Sequence, residues 1–69
     1  MKLFIFVPSH NYTFGSTIVA ANSQKEAQEI VNADAEYLVS NFGLEFSEVM
    51  EGVEAYGQPR IVHTTTSAE

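Results

Sequence analysis

SQKEAQEIVNADAEYLVSNFG, residues Ser23 to Gly43, is the longest segment of this 69-residue chain whose apolar side chains recur with a helical period. Ala27, Ile30, Val31, Ala35, Leu38 and Phe42 fall on one broad face, with Tyr37 at its edge. Glu26, Glu29, Asn32, Glu36 and Ser40 fall opposite, as on an amphipathic helix lying against a core. Both ends carry terminators with a physical cause. Ser23 and Glu26 have capping-box spacing: the serine oxygen can accept from the Glu26 amide while the glutamate reaches back. Asn22 is a second candidate for the cap. Gly43 stands where the chain needs a positive φ, which glycine adopts without a Cβ clash.

Asp34 interrupts the apolar arc, and an unpaired carboxylate there would be costly to desolvate. The favoured reading puts it at a solvated edge, or at the cap of a second helical segment after a break at Asn32–Ala33. A functional carboxylate at a partner surface is the weaker alternative.

On the N-terminal side, Lys2–Val7 reads as a strand, with Leu3, Ile5 and Val7 on one side and Phe4 and Phe6 on the other. Two apolar sides predict a central strand. Pro8-Ser9-His10-Asn11 then reads as a turn, and Tyr12–Ala21 as the return strand, clearest from Ser16 to Ala21.

Beyond Gly43 two periods compete. Phe46, Val49, Met50, Val53 and Tyr56 recur at threes and fours, Ser47 can cap, and Gly57 with Pro59 makes a helix stop. These favour a short second helix. Gly52 opposes it, because glycine costs about 1 kcal/mol inside a helix; the runner-up is a strand near Leu44–Met50. Arg60–Thr66 has strong β character, and Ser67, Ala68 and Glu69 are expected to fray. The predicted fold is α+β over residues 1–69 as one domain: a small antiparallel sheet of about three strands with helices on one face. The order is β-β-α-α-β, or β-β-α-β-β if the second helix is a strand.

Composition narrows the function classes. A chain this short buries about 60% of its unfolded surface, and without cysteine it has no disulfide or thiolate metal cage to reinforce it. Self-association or partner binding is therefore a live expectation. Nine acidic residues against three basic ones give a formal charge of -6, which disfavours direct nucleic-acid binding. The same charge suits a basic protein surface, including a groove that normally holds nucleic acid and that this chain would mimic. Met1–Val7 is too short for a membrane span and unlike a signal peptide, so the default expectation is a cytoplasmic protein without membrane contact. Asn11-Tyr12-Thr13 matches a glycosylation acceptor by chance.

No catalytic, cofactor-binding or metal-ligating set is assigned. His10 and His63 are the general-base candidates, and their spacing specifies no convergence; a small enzyme built on either is the low-ranked alternative. The leading expectation is a non-enzymatic protein-binding module, an inhibitor or modulator of an unidentified partner, with a homodimerising unit as the structural alternative. The expected contact residues are Phe4, Phe6, Tyr12, Phe14 and Ile18, from a surplus apolar sheet face and its loop, and Glu29, Glu36, Glu48 and Glu51 for electrostatic attraction. This presumes that the helices cover the Leu3/Ile5/Val7 side.

Overall fold

The structure, a computed structural model, describes residues 1–68. It is an α+β fold: a four-stranded antiparallel sheet with two helices against one face. The elements run β1 (Lys2–Pro8), β2 (Thr13–Phe14), β3 (Thr17–Ala21), α1 (Gln24–Asp34), α2 (Glu36–Phe42), β4 (Leu44–Val49), β5 (Arg60–Thr64) and β6 (Ser67–Ala68). The main sheet is ordered β4-β1-β3-β5, while β2 and β6 form a separate two-stranded pair. Ser67 and Ala68, expected to fray, pair instead with Phe14 and Thr13; Glu69 lies outside the described residues.

The organising helix starts as its sequence predicts. The Ser23 Oγ accepts from the Glu26 amide at 3.1 Å, and the Glu26 carboxylate accepts from the Asn22 amide at 2.8 Å. The reach-back thus ends one residue earlier than a simple capping box requires. At the other end, Gly43 has φ 65°, and its amide donates to the Val39 carbonyl at 2.9 Å. The rod itself is broken at Ala35 (φ −130°, ψ 36°), two to three residues beyond the expected break. Asp34 is exposed there, so its carboxylate stays hydrated while buried Ala35 joins the two helices.

The expected helix over residues 47–57 is not formed. Leu44–Val49 is a strand beside β1, and Met50 to Gly57 form a loop in which Gly52 takes φ 73°. The helical spacing has a local cause. Phe6 pairs with Phe46, whereas Ile5 pairs with Glu48, so one extra residue, Ser47, is inserted as a bulge. The bulge lets Leu44, Phe46 and Val49 all reach the core although the last two are three residues apart. A second bulge inserts Val62 between His63, paired with Ile18, and Ile61, paired with Val19. Both bulges lie on edge strands.

The core lies between sheet and helices. Phe4, Phe6, Val19, Ala21 and Leu44 come from the sheet, and Ala27, Val31, Ala35 and Leu38 from the helical layer. Small side chains on α1 allow a close approach, and aromatic rings rising from the sheet fill the remaining volume. Phe46 packs edge-on to Phe6, with ring centroids 6.0 Å apart. Thr17 is the one buried polar side chain among the described residues; its hydroxyl is satisfied by Thr64 at 2.7 Å and Thr66 at 3.0 Å.

Candidate functional site

Strand register decides which residues the helices leave uncovered. Phe4 lies opposite Val19 and Phe6 opposite Thr17, so these four share the helix-covered face. Leu3 lies opposite Ala20 and Ile5 opposite Ile18, so these four share the other face, together with Val7 by alternation along β1. No helix packs there. Leu3, Ile5, Val7 and Ile18 are each partly exposed, and Ala20 is buried.

The expectation about faces is therefore corrected. Phe4 and Phe6, proposed as contact residues, are 4% and 0% exposed and belong to the core. Both faces of β1 are apolar, so alternation alone does not distinguish them. Volume does: the small-residue helical face leaves room that phenylalanine fills better than leucine, isoleucine or valine. The apolar surface is retained on the opposite side, and Ile18 is the one expected apolar contact residue that lies on it.

Charge is unequally placed around this uncovered face. Glu48 lies opposite Ile5 and Glu45 opposite Val7, giving the β4 rim two carboxylates. His63 lies opposite Ile18 and Arg60 opposite Ala20, giving the β5 rim a guanidinium and an imidazole. The Arg60 Nη1 donates to the carbonyls of Tyr56 at 3.1 Å and Gln58 at 2.8 Å, which anchors the cation at that rim. Among the described residues the sole ion pair joins the Met1 amino group to Glu54 at 3.7 Å, so neither rim is neutralised.

The remaining expected contact residues are dispersed. Glu29 and Glu36 are exposed on the two helices, on the far layer from the uncovered face. Glu51 is exposed in the turn after β4. Tyr12 and Phe14 flank Thr13 in the connection between β1 and β3; Tyr12 is 80% exposed with φ 62°, and the Thr13 hydroxyl donates to the His10 carbonyl there.

Of the two histidines, His10 lies in the loop against Gly43, where a Cβ at Gly43 would come within 2.7 Å of the imidazole. His63 stands on β5 instead, and both are exposed. No group of three or more histidine, aspartate or glutamate side chains capable of holding a metal is present among the described residues.

Leu3, Ile5, Val7, Glu45 and Arg60 are the surface residues that the sequence reading did not select. Alternation along β1 already grouped the first three; the missing information was which group faces the helices. No helix among the described residues is long and apolar enough to cross a membrane. No protein-family model, no curated protein and no solved structure matches the chain.

Proposed function

We propose that this chain is a non-enzymatic protein-binding module whose contact surface is the helix-free face of its sheet. The observation that carries the reading is the adjacency of Leu3, Ile5 and Ile18 on a face that no helix covers, with Val7 continuing the row along β1. A sheet face exposed to water ordinarily alternates polar residues outward, whereas this one presents aliphatic residues at its centre. Burying such a face releases about 25 cal/mol per Å² of apolar surface, and its charged rims restrict the partners that fit. The acidic helical layer stays outside the contact and gives the module its long-range attraction to basic surfaces.

Ile5→Lys tests the assignment. The lysine stem can lie along neighbouring apolar surface with its ammonium in water, so the fold is retained while the centre of the patch acquires a charge. Capture from a cell extract should be lost with Ile5→Lys and kept with Glu29→Lys, which alters the far layer. Identical captured proteins for wild type and Ile5→Lys, both folded by circular dichroism, would overturn the assignment.

A further inference from the structure

We propose that residues 24–42 form a charge-held hinge: one latent continuous helix that the carboxylate of Asp34 keeps bent at Ala35. Removing that one charge straightens the segment and opens a clamp, made by Ser9 and His10, at its far end. The device is independent of what the uncovered sheet face binds.

Local sequence does not account for the bend. Sharp helix kinks ordinarily fall at proline, at glycine or serine pairs, or where an inserted group parts the hydrogen-bond ladder. Residues 24–42 contain neither proline nor glycine, and the break falls on alanine, the best helix former. Ala35 makes no side-chain cap for α2, so the second helix has no start signal of its own. The Ala35 amide still donates to the Val31 carbonyl at 2.9 Å, as in an unbroken helix. Three residues on, the Leu38 amide passes over the Asp34 carbonyl that continuation requires and donates to Ala35 at 2.9 Å.

The cause lies one residue before the bend. On a straight helix Asp34 sits one turn beyond Ile30 and one turn before Leu38, on a single stripe. Leu38 belongs to the core and Ile30 packs against it, so a straight rod resting on the sheet would carry Asp34 inward between them. An unpaired carboxylate there would lose its water, at a cost exceeding that of the few backbone hydrogen bonds given up at the break. Bending removes the conflict. α1 packs over β3 and β5, α2 packs over β4, and Asp34 is left exposed at the joint.

Straightening is coupled to the loop after β1. The Ser23 cap is local to α1 and moves with it. The far end is held by a segment distant in sequence. The Ser9 and His10 amides donate to the Phe42 carbonyl at 2.9 and 3.1 Å, and the Ser9 Oγ donates to the Gly43 carbonyl at 2.8 Å. A straight segment is longer end to end than a bent one, so its far end must leave this clamp. The loop it then frees carries the exposed rings of Tyr12 and Phe14.

Amide hydrogen exchange and backbone chemical shifts, read by NMR on the full chain, test the hinge. Asp34 is exposed, so the fold should tolerate both Asp34→Leu and Asp34→Ala, which a dispersed spectrum verifies. In both, the Glu36 and Tyr37 amides should gain protection, Ala35 should move to helical shifts, and the Ser9 and His10 amides should lose protection. Asp34→Glu, which keeps the charge, should keep the wild-type pattern. So should Asn32→Ala, which makes a similar gain in helix propensity without touching the carboxylate.

Glu36 and Tyr37 amides that stay unprotected in both Asp34→Leu and Asp34→Ala overturn the proposal, because the bend is then imposed by the connection to β4. Straightening in Asp34→Glu or Asn32→Ala also overturns it, since the charge is then not what holds the bend. A straight helix with Ser9 and His10 still protected refutes the coupling to the clamp, and the device with it.

Discussion

The two faces of the sheet are built from alternate residues of the same strands, and they have been put to opposite uses. Toward the helices stand Phe4, Phe6, Val19 and Thr17, sealed and, where polar, fully hydrogen-bonded. Away from them stand Leu3, Ile5, Val7 and Ile18, equally apolar by residue type but left partly exposed. Hydrophobicity therefore does not separate the faces. What separates them is the shape of the surface opposite: a helical layer lined by Ala27, Val31 and Ala35 provides space for rings, and nothing helical meets the aliphatic row.

The contrast can be broken at its centre. Phe6→Ala should cost about 3–5 kcal/mol, the range for emptying a buried aromatic site. A domain of this length has roughly 3–10 kcal/mol of total stability, so urea denaturation should find the variant marginal or unfolded. Thr17→Val should cost about 1–2 kcal/mol, since it removes a hydroxyl that bridges Thr64 and Thr66 on the covered side; the same denaturation series measures it. Ile5→Ala, on the uncovered side, should cost about 1 kcal/mol in folding, because part of that side chain is already in water. Its larger effect should appear in partner binding, which sharpens the distinction between folding face and contact face. Glu48→Gln should shift the denaturation midpoint least, within about 0.5 kcal/mol, because this exposed carboxylate has no ion-pair partner among the described residues.

The legible parts of the fold were those in which a backbone requirement coincides with a residue type. The Ser23 cap, left-handed Gly43 and the inward arc from Ala27 through Val31 to Leu38 are all where the helical period and its end signals put them. Residues 44–56 misled because a bulge changes the period of a strand. Inserting Ser47 lets Phe46 and Val49 point the same way at a spacing of three, which imitates a helix; Gly52, at φ 73°, was the signal against it. The fourth strand follows from the same correction.

For the candidate site, β1 announced two apolar faces but not which one the helices would choose, since that depends on packing between segments distant in sequence. The register that sets Glu48 beside Ile5 and His63 beside Ile18 is likewise a tertiary fact. Local pattern carries no trace of it.

The inserted residues Ser47 and Val62 have a consequence for what the molecule avoids. Each sits in a rim strand, where an uninterrupted ladder of unpaired amides and carbonyls would template another chain. An extra residue kinks the rim and throws an arriving strand out of step, so lateral growth into ribbons is opposed on both flanks. At high concentration this architecture should therefore resist fibril seeding.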